Sequence, residues 1–126
     1  MDTLLVSQVT PFSPDSESAA VRLRSEHGEI VVFSYPCEVA VGDIVPNLLS
    51  CILKEAQAAY LTDWPDAEQQ VRSAERLEKI GPFAYRGCGR VVDQQEGIIE
   101  VLGFRIEFGD VPCDGPIEFE CERIDL

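Results

Sequence analysis

Apolar and polar residues alternate along several short segments of the chain, and this alternation predicts a protein built mainly of β-strands. Residues 4–9 form the first predicted strand. Residues 20–24 and 30–33 predict a hairpin, because two apolar-rich runs flank a short polar turn that ends at Gly28. The alternation returns at residues 117–124, which we predict to be the last strand.

The longest patterned stretch, residues 85–110, predicts a second hairpin with a long return arm. Its polar loop, residues 93–97, ends at Gly97, which suits a turn that needs one residue at positive φ. The return arm, residues 98–108, is longer than an ordinary strand of about 5–6 residues. A glycine inside a strand often marks a bulge or a barrel corner. We therefore expect one long strand that bends at Gly103 and is shared between two sheets.

Two other segments carry helical features. Residues 63–80 have Pro65 between aspartates near their start, repeat apolar residues at helical spacing and stop before Gly81, so they predict a helix. Residues 44–61 fit both a helical period and a period of two, and their good helix formers favour a helix slightly. Strands remain the alternative for residues 44–61, because the surrounding hairpins favour them.

Hairpins on both sides of a helix, together with a bent strand, define the expected fold class. This order of elements resembles the OB-like class of small Greek-key barrels, and it implies a mainly β barrel with one or two helices. The resemblance concerns the order of elements only and carries no binding residues. The length of 126 residues predicts a single domain, residues 1–126.

The charge of the chain narrows the possible partners. Twenty-three acidic residues against ten basic ones give a formal net charge of −13. A field of this sign repels nucleic acids and anionic membrane surfaces, and it favours basic partners or simple solubility. Five widely spaced cysteines without a CxxC motif predict reduced thiols. With no signal peptide and no apolar run near the ~20 residues of a membrane span, we expect a cytoplasmic protein.

The last predicted strand supplies the first candidate site. Glu118, Glu120 and Glu122 alternate with apolar residues, so all three carboxylates are predicted to share one face. Such a face suits a basic partner. The alternative is a solvated outer face that discourages edge-to-edge aggregation. Side chains in a straight row do not converge as a Ca²⁺ or Mg²⁺ site requires, so we expect no metal there.

The second candidate site surrounds Cys88. Arg86 and Arg90 flank this cysteine beyond two glycines, and nearby cations can lower a thiol pKa and make the thiol reactive. With Tyr85 these residues define an alternative pocket at a barrel mouth. The other interpretation is a small buried residue within a strand. The chain has a single histidine, His27, and no local signature of a catalytic, cofactor or zinc site, which favours a non-enzymatic protein without a cofactor.

These observations lead to three functional hypotheses. The first is an acidic protein-binding module, for example an inhibitor or immunity-type protein that masks a basic partner. The second is a small-molecule-binding barrel or enzyme with a pocket near Cys88. The third is an OB-type nucleic-acid binder, which the negative charge disfavours.

Overall fold

The computed structural model describes residues 3–58, 65–67, 74–109, 111 and 115–126 as a mainly β protein. Asp66 and Ala67 are helical in conformation, and the residues on either side of 65–67 lie outside the described ranges. The described strands, in chain order, are β1 (Thr3–Pro11), β2 (Ala19–Arg24), β3 (Glu29–Ser34), β4 (Ile44–Pro46), β5 (Leu49–Ala58), β6 (Arg76–Lys79), β7 (Tyr85–Asp93), β8 (Ile98–Val101), β9 (Phe104–Glu107) and β10 (Pro116–Asp125).

Five strands close into a barrel. Around the ring, β10 pairs with β5, β5 with β9, β9 with β8, β8 with β7, and β7 with β10. Strand β10 therefore lies between β5 and β7 and is antiparallel to both. The prediction of a mainly β protein with a small barrel is confirmed. Strand β6 extends the ring by pairing with β7.

The remaining strands form an extension in the order β4-β1-β2-β3. The predicted hairpin at its centre is confirmed, with β2 antiparallel to β3. Strand β3 joins the barrel where Phe33 pairs with Asp125 of β10 in parallel fashion. The backbone N–H of Leu126 also donates to the carbonyl of Phe33 at 2.9 Å. Only Asn47 and Leu48 separate β4 from β5, so the chain runs from the extension directly into the barrel.

One hydrophobic cluster fills the space between the barrel and the extension. Alternation along each strand turns one face inward, as the sequence pattern predicts. The rings of Phe108 and Phe119 meet edge to face with their centroids 5.3 Å apart. Burying side chains of this size stabilises the fold by about 1.5–3 kcal/mol each. The extension contributes Leu4, Val21 and Leu23, which are fully buried in the same cluster.

The return arm of the central hairpin differs from the prediction of one bent strand. It consists of two strands, β8 and β9, which pair with each other in antiparallel register. Leu102 and Gly103 form the turn between them with φ of 49° and 82°, as a two-residue hairpin turn requires. The side chain of Asn47 holds the turn: its amide nitrogen donates to the carbonyl of Gly103 at 2.8 Å, and its oxygen accepts from the N–H of Arg105 at 3.0 Å.

The slight preference for a helix at residues 44–61 is wrong for the described part of that segment. Residues 44–46 and 49–58 are strands, and β5 pairs with β10 through eight residue pairs and with β9 at its start. Pairing on both edges outweighs the helix propensity of the side chains. Residues 59–61 lie outside the described residues.

The predicted helix at residues 63–80 is wrong at its end. Arg76–Lys79 form β6, because this segment pairs in antiparallel register with β7. Most of the remaining predicted helix, residues 63–64 and 68–73, lies outside the described residues.

Candidate functional site

The outward face of β10 carries the three predicted glutamates. Ile117 and Phe119 are buried, while Glu118 is half-buried and Glu120 and Glu122 are exposed. Strand β10 is paired on both sides, so protection of a sheet edge does not explain these carboxylates. The outward face of β10 therefore lies within the barrel wall and not at an edge of the sheet.

Glu118 is held within the sheet. Its carboxylate accepts from the guanidinium of Arg76 at 3.2 Å, and 17% of its side chain is exposed. Strand register explains this ion pair, because Glu118 lies opposite Cys88 on β7, and Cys88 lies opposite Arg76 on β6. Much of the charge of Glu118 is therefore compensated within the protein.

Glu120 has a different environment. Its direct neighbours across the sheet are Glu55 on β5 and Arg86 on β7. Arg86 forms a salt bridge with Glu78 at 3.0 Å. Glu78 is the main cause that raises the pKa of the Arg86 guanidinium, and Glu120 adds to this effect.

We define the acidic patch as Glu55, Glu120 and Glu122, the exposed carboxylates on β5 and β10. No ion pair between described residues involves any of the three. Glu55 and Glu120 are directly opposite, and like charges in this position destabilise an antiparallel pair. The patch therefore carries repulsion that Arg86, which is already paired with Glu78, relieves only in part.

Cys88 is a fully buried thiol. Burial raises its pKa, and Arg76 opposes the rise only in part. A protonated, inaccessible thiol is a poor nucleophile at neutral pH. The flanking glycines serve close strand packing: a Cβ at Gly87 would meet the carbonyl oxygen of Arg76, and one at Gly89 would lie 2.7 Å from that of Glu100.

Strand alternation separates Tyr85 from the other three residues of the predicted Cys88 pocket. Alternation along β7 turns Arg86, Cys88 and Arg90 to one side of the strand and Tyr85 to the other. Tyr85 is buried and lies opposite Cys121. It lines a groove of about 310 Å³ to which the other three residues do not contribute.

This groove, which we call the Tyr85 groove, lies between the β2–β3 hairpin and the β6–β7 pair. The hydroxyl of Tyr85 accepts a hydrogen bond of 2.8 Å from the backbone N–H of Val31 and so ties β7 to β3. The lining residues are Arg22, Glu29, Ile30, Val31, Leu77, Lys79, Tyr85 and Leu102.

Electrostatic contacts at one wall of the groove centre on Glu29. Its carboxylate accepts from Arg24 at 2.6 Å and lies 3.5 Å from Arg22. Arg24 is the main cause that lowers the pKa of Glu29. Of the groove residues, only Tyr85 belongs to a site predicted from the sequence. The other residues come from segments up to 80 positions apart, and no local motif marks them.

Comparisons with known proteins do not add to this description: no protein family, curated protein or solved structure matches the chain. Among the described residues, no helix has the length and apolar character needed to cross a membrane. No disulfide joins any two of the four described cysteines, Cys37, Cys51, Cys88 and Cys121.

Proposed function

We propose that this protein is a protein-binding module whose acidic patch binds a basic surface of a partner protein. The observation that carries the proposal is the direct opposition of Glu55 and Glu120, with Glu122 two residues further along β10. A cationic partner would relieve this repulsion, so association would gain free energy that the isolated protein lacks.

The net charge of the whole chain also supports binding of a basic partner protein. A net charge of −13 attracts basic proteins at long range and accelerates their encounter. An inhibitor or immunity-type protein that fills a cationic cleft in the cytoplasm is one concrete form of this function. The patch lies on paired strands of a continuous sheet, so the backbone positions of its three glutamates are fixed relative to one another.

The experiment is affinity capture from a lysate of the source cells at low and at physiological ionic strength, with three baits. The baits are the wild type, the patch variant E55Q/E120Q/E122Q and the control variant E26Q/E38Q/E96Q. The control removes the same number of exposed carboxylates elsewhere on the surface. Captured proteins are identified and quantified by mass spectrometry.

We expect the wild type and the control to retain one basic protein, and the patch variant to lose most of it. Retention should be stronger at low salt, because charge attraction is less screened there. Glu118→Gln should have a smaller effect than the patch variant, since Arg76 already binds that carboxylate. Equal capture by the patch and control variants would refute the proposal, and so would baits that retain nothing.

An OB-like assignment with nucleic-acid binding receives less support. That function needs a groove with available cations. Arg22 and Arg24 both contact Glu29, and Arg105 contacts Glu100 at 3.3 Å. We therefore do not extend the proposal to nucleic acid.

A further inference from the structure

The Tyr85 groove has a charge pattern opposite to that of the protein as a whole. Arg22 and Lys79 place two cations in its walls, and Glu29 is the one carboxylate among its lining residues. Glu29 is bound by Arg24 from outside the groove at 2.6 Å and lies farther from Arg22, at 3.5 Å, so it offsets only part of the charge of Arg22. Among the described residues, Lys79 forms no ion pair. In a chain of net charge −13, this groove is thus a local site of positive charge.

The hydroxyl of Tyr85 offers a hydrogen bond to this groove. Tyr85 is 4% exposed, and its oxygen accepts from the N–H of Val31. A phenol can also donate its own proton, and no bond of that kind occurs among the described residues. Burial raises the pKa of Tyr85, with the hydrogen bond from Val31 and the charge of Arg22 opposing the rise, so the hydroxyl stays protonated at neutral pH. A ligand oxygen in the groove would accept this proton while the bond from Val31 stays in place.

The apolar wall of the groove includes a residue in an unfavourable conformation. Leu102 has φ of 49°, in the left-handed region that a leucine rarely adopts. The hydroxyl of Ser25 donates to the carbonyl of Leu102 at 2.5 Å, and Asn47 fixes the next residue of the turn. Strain of this kind persists where surrounding contacts impose it, and it concentrates at functional sites. Here it presents an apolar side chain to the groove opposite Leu77 and Val31.

We propose that the Tyr85 groove binds a small amphipathic carboxylate. The carboxylate accepts from the hydroxyl of Tyr85 and lies between the positive charges of Arg22 and Lys79. The apolar part of the ligand packs against Leu77 and Leu102. A volume of about 310 Å³ lies at the lower end of the range for small-molecule sites, which suits a short chain. This proposal is independent of the acidic patch.

Titration of the full chain with octanoate, followed by ¹⁵N–¹H NMR, tests the proposal. Octanamide is the uncharged control of the same size. We expect the largest shifts at the amides of Val31, Lys79 and Leu102, and about tenfold or more weaker binding of octanamide, as expected for the loss of a charge-assisted hydrogen bond. A parallel titration with N-acetyl-leucyl-leucine and its C-terminal amide shows whether a peptide C-terminus supplies the same carboxylate.

Variants distinguish octanoate binding in the groove from general attraction of anions to surface cations. Arg22→Gln should weaken octanoate binding by about tenfold, and Tyr85→Phe by at least as much. Arg90→Gln is the matched control, since Arg90 is an exposed cation that does not line the groove, and its affinity should equal that of the wild type. If Tyr85→Phe fails to fold, Arg22→Gln still tests the site.

Three results would overturn the proposal. The first is the absence of octanoate binding up to about 10 mM, well beyond a millimolar dissociation constant. The second is equal binding of octanoate and octanamide. The third is equal weakening by Arg22→Gln and Arg90→Gln. If octanoate and N-acetyl-leucyl-leucine both bind more tightly than their amides, the proposal is supported and peptide C-termini are included among the ligands.

Discussion

Replacement of Glu120 by glutamine should make the isolated protein more stable, although it removes a charged surface residue. Glu120 lies directly opposite Glu55, so their carboxylates are close across the sheet. In water, two unit charges about 5–8 Å apart repel by roughly 0.5–0.8 kcal/mol. Favourable cross-strand pairs contribute about 0.2–1 kcal/mol each, and like charges directly opposite each other are destabilising. Attraction to Arg86 on the other side reduces the net gain, so we expect about 0.3–0.6 kcal/mol for Glu120→Gln.

A double-mutant cycle isolates the repulsion from the Arg86 contribution. The wild type, Glu55→Gln, Glu120→Gln and the double variant are unfolded with urea, and their midpoints are compared, because midpoints are more precise than extrapolated free energies. We expect Glu120→Gln to stabilise the wild type more than it stabilises Glu55→Gln, by about 0.5 kcal/mol. Glu26→Gln, which removes an exposed carboxylate in the β2–β3 turn, is the control for net charge.

Salt dependence provides a second check on the same cycle. At about 1 M salt the screening length falls to about 3 Å, so the coupling between the two carboxylates should nearly vanish. Coupling of zero at low salt, or of the opposite sign, would refute the claim that Glu55 and Glu120 repel each other. A stabilisation by Glu26→Gln equal to that of Glu120→Gln would refute it as well.

Four further predictions concern the stability of the fold and the burial of Cys88. In urea unfolding, Gly97→Ala should destabilise the protein by several kcal/mol, because φ is 70° there and the added Cβ would collide with the backbone of Gly109. Gly42 has φ of 94° but lies in open space, so Gly42→Ala should cost only about 1–2 kcal/mol. Phe108→Ala should cost about 3–5 kcal/mol by the same assay, and a loss below 1 kcal/mol would contradict the packing described. Burial raises the pKa of Cys88 and of Tyr85, so folding favours their protonated forms and stability should fall as pH rises above about 9. In the folded protein, Cys88 should also resist iodoacetamide at neutral pH, and rapid labelling by mass spectrometry would contradict its burial.

Local sequence patterns predicted the hairpins whose turns are made by neighbouring residues. The β2–β3 hairpin follows from two alternating runs and a short polar turn. Gly97 adopts the positive φ that its position at the end of a polar loop indicates. In both cases the residues that decide the conformation lie within a few positions of each other, so pattern and propensity agree.

Contacts between distant segments explain the elements that could not be predicted. The β8–β9 turn begins with a leucine at positive φ, and Asn47, more than fifty positions earlier, holds it in place. Residues 49–58 contain good helix formers, yet pairing with β10 and β9 makes them a strand. Neither influence is visible in the local pattern.

In the candidate site too, local sequence predicts some features, and contacts between distant segments decide the others. Alternation in residues 117–124 correctly predicted that Glu118, Glu120 and Glu122 face outward. It could not distinguish the carboxylate bound by Arg76 from the one opposed by Glu55, because those partners belong to β6 and β5. Strand register, and not the sequence of β10 itself, decides which charges remain available.

The most direct test of the proposed function is the association rate constant of the captured basic partner as a function of ionic strength. It is measured by stopped flow for the wild type, E55Q/E120Q/E122Q and E26Q/E38Q/E96Q. Charge-steered association slows steeply as salt rises. We expect the association rate constant to decrease steeply with ionic strength for the wild type and slightly less steeply for the control. For the patch variant we expect a clearly lower rate constant and the weakest salt dependence of the three. Identical rates and salt dependences for the patch and control variants would contradict binding through the acidic patch, because net charge alone would then account for the association.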